Sequence, residues 1–321
     1  MKVGVRIPCY RRWVGADEVR EMAVAAEDMG YESLWVQDHL VAPVGSREET
    51  TVGGLSQWME PDAPPRPALT AAEYYAGDDW WLDPYPVWAY LAAVTSRVRL
   101  CSDIVVIPYR NPVVQAKMLG TIDVLSKGRL TIGTGSGHVA AESAALGVDF
   151  DHRGDLHDEY LRVIVAVLGG REVSFEGAHY RFGPVRTLIE PVQRPHPPIA
   201  VGGNSRRAIR RAVEHGDAWL PSMTAPADLA RGVEALHEEC ERAGRLSPPA
   251  IYISLPSGMK IRDPAAPGHG GSTAEDLLAR LVAYEAVGVS HAALAFPMPD
   301  LGTYLRQLQL FADGVLPGLH G

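Results

Sequence analysis

A strand that ends in an acid and an imidazole is the first feature with chemical potential. In "YESLWVQDHL" the run from Ser33 to Val36 reads as a buried β-strand, and it then delivers Asp38 and His39, groups that a core does not accept unpaired. Imidazole changes charge near neutral pH, so such a pair suits proton transfer; a capped loop is the alternative. A second candidate is "IAVGGNSRRAIRRA". Gly202 and Gly203 let a ligand approach backbone N–H groups, Asn204 and Ser205 can cap the helix that follows, and a helix N-terminus favours an anion such as phosphate. The alternative is a tight βα turn with a solvated arginine face. A third is "TIGTGSGHVAAE". A dinucleotide fingerprint needs glycine where His138 stands, and a GxSxG nucleophile elbow fails at Thr134. What remains is a glycine-lined turn with Ser136 and His138 available to a ligand.

Metal chemistry finds little support. His152 and His157 are five residues apart, a spacing that does not place both on one helical face, and "HEEC" at His237 lacks the second histidine of a zinc protease motif. Both segments read as surface helix chemistry, and no metal is expected.

Short apolar runs recur along the chain, and these must position the candidates: "KVGVRIP", "SLWVQ", "VRLCSDIVVIP", "RLTIGTG", "PPIAVGG", "DAWLPS", "IYISLPSG" and "HAALAFP". Helical patterns lie between them. "ADEVREMAVAAEDMG" ends at Gly30, and "NPVVQAKMLGTIDVLSKG" opens on Asn111 and Pro112 and closes at Gly128; further helices run from Arg153 to Leu168 and start at "NSRRAIRRAVEHG", "APADLARGVEALHEECERAG", "STAEDLLARLVAYEAVG" and "DLGTYLRQLQLFADG". Eight strands alternating with helices predict an α/β fold, a (β/α)8 TIM barrel, in one domain over residues 1–321. In such a barrel the strand C-terminal ends carry the active site, which places Asp38 and His39 at its mouth. Insertions are expected after strands 2 and 4. Residues 41–83, rich in Pro, Gly and aromatics (Trp58, Tyr74, Tyr75, Trp80, Trp81), read as a lid-like insertion; residues 171–198 alternate like a hairpin around Glu176 and Gly177. Residues 257–272 have the composition of a mobile loop.

Composition excludes several classes. With 46% hydrophobic and 21% charged residues, a chain of 321 residues can bury a large core, about 75% of the surface its unfolded form exposes. The net charge of −9 repels nucleic acid and anionic membranes. Cys9, Cys101 and Cys240 are odd in number and lack CxxC spacing, against a disulfide framework or zinc knuckle. No apolar run is long enough for a signal peptide or membrane span, so a cytoplasmic location is expected.

"GYESLWVQDHL", "WWLDPYPVWAYLAAVTSRVRLCSDIVVIPYRNPVVQAKMLGTIDVLSKGRLTIGTGSG", "ALGVDFDHRGDLHDEYLRVI", "VSFEGAHYRF" and "PVQRPHPPIAVGGNSRRAIRRAVEHGDAWLP" together resemble the bacterial-luciferase-like flavin and deazaflavin oxidoreductases. The segments keep the family's order between Gly30 and Pro221. "GTGSG" and "VGGNS" look most like the branch using coenzyme F420. The resemblance implies a (β/α)8 barrel with the cofactor ring across its mouth, backed by a non-prolyl cis peptide that falls between Asp103 and Ile104. It implies His39 near the reactive ring edge with Asp38 before it, Gly202, Gly203, Asn204 and Ser205 at the cofactor phosphate, and the loop Ser136, Gly137, His138, Val139, Ala140, Ala141 along the cofactor side chain. Two departures stand out. Val41, Ala42 and Pro43 occupy the place where some sugar-phosphate dehydrogenases of the family carry a Trp, and His138 replaces an acidic group of their glycine-rich loop, which argues against a sugar phosphate.

The resulting expectation is an F420-dependent oxidoreductase that moves a hydride to or from a sizeable, partly apolar small molecule at a C=C, C=N or carbonyl/alcohol group. His39 would handle the proton, tuned by Asp38. An FMN-dependent monooxygenase and a non-catalytic cofactor-binding barrel are the alternatives. The resemblance also implies a homodimer.

Overall fold

A computed structural model describes residues 1–42, 80–222, 224–255, 259–265 and 270–319. The chain runs β1 (Lys2–Arg6), α1 (Ala16–Asp28), β2 (Ser33–Val36), α2 (Pro84–Val94), β3 (Arg99–Ser102), β4 (Val105–Val106), a 3-10 turn (Ile107–Tyr109) and α3 (Pro112–Leu125). It continues through β5 (Ile132–Gly135), α4 (Ala140–Ala145), α5 (Arg153–Gly169), β6 (Glu172–Glu176), β7 (Arg181–Arg186), β8 (Ile199–Gly202), α6 (Arg206–His215) and β9 (Ala218–Leu220). Last come α7 (Pro226–Ala243), β10 (Ala250–Leu255), α8 (Ala274–Ala286), β11 (Val289–Leu294), α9 (Leu301–Gly314) and α10 (Leu316–Leu319).

The large sheet has the order β3-β2-β1-β11-β10-β9-β8-β5-β4, and every pairing in it is parallel. Its two terminal strands, β3 and β4, are halves of one barrel strand separated by Asp103 and Ile104. The gap is closed below by a bridge from Leu100 to Leu130 and by Ser102 Oγ, which donates to Gly133 O at 2.8 Å and accepts from Gly133 N–H at 3.0 Å. A Cβ on Gly133 would lie 1.8 Å from Ser102 O, so only glycine permits this closure. Eight barrel strands result, one for each apolar run in the sequence, in an α/β TIM-barrel fold.

Strands covered on both faces are apolar nearly throughout, which is why they read as continuous runs. One core lies between sheet and helices; a smaller one fills the barrel with Trp35, Cys101, Ala200, Ala218, Leu220 and Ala293. Trp35 fits because β1 carries Gly4, paired with Ser33, where a Cβ would meet the Trp35 Nε1 at 2.3 Å. Asn111 caps α3 by accepting from the N–H groups of Val113 and Val114, with Pro112 at the first helical position. Helix α2, "PYPVWAYLAAV", lacks an amphipathic stripe because it is wedged between α1 and α3, and periodicity alone does not reveal it.

The hairpin expected within residues 171–198 is present as β6 and β7, paired antiparallel. Glu159 of α5 holds its turn by accepting from Ala178 N–H and His179 N–H at 2.9 and 2.8 Å, and from Tyr180 N–H. Of the insertion expected over 41–83, residues 43–79, including Trp58, Tyr74 and Tyr75, lie outside the described residues.

Candidate active site

Every candidate from the sequence, apart from the two metal segments, sits at or just beyond a strand's C-terminal end: Asp38 and His39 after β2, Asp103 and Ile104 after β3, Ser136 to Ala141 after β5, and Gly202 to Ser205 at the end of β8. The barrel therefore gathers them on one face, the mouth.

Asp38 and His39 are both buried but have different partners. Asp38 accepts two hydrogen bonds from Arg110 at 2.7 and 2.9 Å and one from Val106 N–H at 2.9 Å. Arg110 also reaches Asp83, the N-cap of α2, at 2.7 Å. Burial pushes the Asp38 carboxyl upward, against the pull of Arg110. This corrects the expectation that Asp38 tunes His39: its oxygens lock the 3-10 turn and the start of α2 to the mouth.

The carboxylate bonded to His39 is Glu142, 3.0 Å from Nδ1. Glu142 is fully buried in the first turn of α4 and also accepts from Tyr109 Oη at 3.0 Å, Leu40 N–H at 2.6 Å and Val41 N–H at 3.3 Å. Burial alone would raise its carboxyl; the bonds from His39, Leu40 and Tyr109 carry it below the ordinary value. The 3.0 Å contact fixes the His39 ring against a buried carboxylate that its surroundings keep ionised. The ring stands edge-on to Trp81, centroids 4.7 Å apart, and to His138 at 5.5 Å. Trp81 stacks on Tyr10 at 4.4 Å, giving the mouth an aromatic wall. Burial, then repulsion by His39, lowers His138 to about 4, so it is neutral at physiological pH. Sequence reasoning passed over Glu142. Its one signal was a lone acid in the otherwise small-residue stretch "HVAAESAA".

The peptide between Asp103 and Ile104 is cis, at the bond the resemblance implies. Ile104 lies over two glycines: a Cβ on Gly135 would meet its Cδ1 at 2.3 Å, and one on Gly202 its Cγ2 at 2.7 Å. Asp103 turns instead toward Arg6, whose Nε donates to Oδ2 at 2.5 Å, while Ser254 Oγ donates to the same oxygen at 2.8 Å. Arg6 Nη2 also donates to Ser254 Oγ at 2.7 Å. Burial raises the Asp103 carboxyl, with Arg6 acting against it.

The loops after β5 and β8 are partly committed to the scaffold. Ser136 Oγ lies 2.9 Å from Nδ1 of His157, which is fully buried in α5 rather than on a helix surface as expected, and burial keeps that imidazole well below its ordinary value. His152 and His237 are exposed. Gly137 has φ +85°, and Val139 precedes α4, whose first residues are Ala140 and Ala141. Gly203 has φ +122°, its N–H donates to Leu220 O at 3.2 Å, and its carbonyl accepts from Trp219 Nε1 at 2.9 Å. Asn204 clamps the backbone of Ser222 through both ends of its amide, and Ser205 caps α6 through Ala208 N–H. With Gly203 N–H committed to Leu220 O, an anion at this turn would meet the N-terminus of α6, which Ser205 already caps. No group of three metal-ligating side chains is gathered among the described residues.

A mouth lined by glycines that side chains would fill, with a buried acid–base pair on one wall and a capped helix N-terminus opposite, suits a flat, phosphorylated redox cofactor. Fold and mouth thus define a TIM-type barrel with its candidate site at the C-terminal ends of the strands. The chain belongs to the luciferase-like monooxygenase family, whose profile matches residues 68–260. Uncharacterized proteins of Mycobacterium bovis and Mycobacterium tuberculosis are 27% identical over 305 residues, covering 92% of this chain and 93% of theirs. An F420-dependent secondary alcohol dehydrogenase in complex with an F420-acetone adduct superposes with a TM-score of 0.76 at 15% identity, over 99% of this chain and 98% of that one. A type II Baeyer-Villiger monooxygenase of Pseudomonas putida in complex with FMN gives 0.73 at 15% identity, again over 99% and 98%. At such identities the structural likeness concerns the fold. No helix among the described residues is long and apolar enough to cross a membrane.

Proposed function

We propose that this protein is an F420-dependent oxidoreductase that transfers a hydride to or from a neutral or partly apolar organic molecule. The observation that carries this reading is the buried His39–Glu142 pair at the mouth, an imidazole held against a buried carboxylate beside a glycine-lined platform. When bound, a 5-deazaflavin supplies hydride chemistry at one ring carbon and does not readily activate oxygen, so the accompanying proton must come from or go to the protein. His39 exchanges that proton, Glu142 stabilises the imidazolium that forms, and Trp81, stacked on Tyr10, stands edge-on to the His39 ring. Asp103 and Ile104 form the backing of the platform. Ser136, Gly137, His138, Val139, Ala140 and Ala141 line the cofactor side chain, and the turn Gly202 to Ser205 with the start of α6 takes its phosphate. Asp38 is assigned to positioning rather than to chemistry. The partly aromatic end of the insertion, Trp80 and Trp81, favours a sizeable substrate, and a homodimer is proposed for the assembly, with light scattering as its check.

The neighbour holding FMN supports a second reading, a flavin monooxygenase. Titrating the purified protein with F420 and with FMN, followed by cofactor fluorescence, separates the two. Tighter binding of F420, with no oxygen uptake on reduction, is the expected result; tighter FMN binding with oxygen uptake overturns it. Binding with no turnover of any alcohol, ketone, imine or enone would favour a non-catalytic barrel.

A further inference from the structure

The floor of the mouth holds a buried polar cluster whose side chains have no part in the proton transfer above. Arg6 closes β1, Asp103 follows β3 and Ser254 is the penultimate residue of β10, so three separate strands bring these side chains together inside the barrel. Asp103 Oδ2 is satisfied twice. Asp103 Oδ1 is buried and has no hydrogen-bond partner, although its side chain is only 1% exposed. Arg6 and Ser254 both turn to Oδ2, so the second oxygen of this buried carboxyl is left an acceptor with no donor. Ile104, the next residue, forms the apolar half of the same floor over Gly135 and Gly202.

We infer that Asp103 Oδ1 is a recognition point for a neutral ligand group that donates a hydrogen bond, an N–H or O–H, and that it rejects carboxylates and other anions at that spot. The inference rests on the cofactor-binding reading of the mouth and adds the polarity and charge of what lies on its floor. The Arg6 guanidinium is spent on Oδ2 and Ser254, so an incoming anion would face the acceptor oxygen Oδ1 and lose hydration with no donor to replace it. Either of two ligands can supply the donor: the imide N–H of the cofactor ring, or a hydroxyl or amide of the substrate.

Two arms distinguish the sources. In the first, the unaltered protein is titrated with FMN and with 3-methyl-FMN, which lacks the imide N–H, and the titration is repeated on Asp103→Asn. If the ring is the donor, methylation weakens binding roughly tenfold or more in the unaltered protein and has no effect in Asp103→Asn, where an amide NH2 can face the ligand. In the second, benzamide, benzyl alcohol and benzoate are titrated into the cofactor-loaded protein by tryptophan fluorescence. If the substrate is the donor, methylation of FMN changes nothing, benzamide or benzyl alcohol binds at least about fivefold better than benzoate, and Asp103→Asn erases the preference. The ligand-side comparisons need no variant, so a poorly folding Asp103→Asn does not block the test. Equal affinity for FMN and 3-methyl-FMN, together with no preference for the neutral probes over benzoate, overturns the inference while leaving cofactor binding intact. Failure of both F420 and FMN to bind would remove the functional reading and this one together.

Discussion

The two ends of the barrel treat polar side chains in opposite ways. At the N-terminal end Arg99 donates to Leu130 O, Thr131 Oγ1 and Gln193 Oε1 at 2.8 to 3.1 Å, and Arg129 ties down the C-terminal end of α2 through Ala92 O, Thr95 O, Thr95 Oγ1 and Val98 O at 2.9 to 3.0 Å. These bonds satisfy helix-end and strand-end carbonyls that would otherwise be orphaned. At the mouth, Asp103 Oδ1 is buried and unpartnered, His138 is desolvated, and the His39 ring meets the Glu142 carboxylate at 3.0 Å. One end spends its guanidiniums on backbone carbonyls; the other buries groups whose charge can change. That division is the one a barrel with its chemistry on a single face produces.

The comparison breaks most sharply at His39. His39→Asn keeps much of the shape but cannot exchange a proton near neutral pH, so kcat should fall ~10² to 10⁴ while cofactor affinity and melting temperature change little. Glu142→Gln should lower kcat roughly tenfold or more and move the pH optimum, because a neutral amide no longer stabilises the imidazolium. A pH profile unchanged in Glu142→Gln would reduce Glu142 to scaffolding. Stopped-flow hydride transfer and cofactor titration on the same samples read both effects.

Arg129→Ala probes the other end. Its several bonds to carbonyls make a loss of about 2 kcal/mol or more in unfolding free energy the expected result, with kcat unchanged below the transition. Urea denaturation alongside activity measures this, and a variant of full stability but altered kcat would erase the distinction between the ends.

The smallest effect is on acid stability. His138 at the mouth and His291 near the barrel bottom are each lowered to about 4, chiefly by burial. Their unfolded values are near 6.5, so between pH 6.5 and 4 the unfolded chain binds more protons than the folded one. Stability from this source is present above pH 6.5 and declines as pH falls toward 4. Replacing either histidine by Gln should flatten the fall in melting temperature across that window, but only His138→Gln should also alter cofactor binding. Identical behaviour of the two variants in a cofactor titration would count against a mouth role for His138.

Much of this was legible in one dimension. Strand runs buried on both faces announce themselves by unbroken apolar character, and a polar group at the end of such a run has to emerge at the mouth; Asp38, His39 and Ser136 follow from that rule, whereas Asp103 lies inside the run "VRLCSDIVVIP" and was placed by the resemblance alone. The hairpin turn at Gly177 and the start of α3 at Asn111 and Pro112 are equally local. Partnership was not legible. Asp38 adjoins His39 in sequence, yet its carboxylate goes to Arg110, 72 positions away, and His39 is held by Glu142, 103 positions away. His157 read as a surface residue because helix periodicity does not say what packs on a helix, and α5 buries it against Ser136. The sequence by itself determined that strand-end residues such as Asp38, His39 and Ser136 reach the mouth, though not Glu142 on a following helix, since strand period and chain direction are local properties of the backbone. Which of them face each other was decided only when the barrel closed, because sheet closure sets distances between side chains that no spacing along the chain encodes.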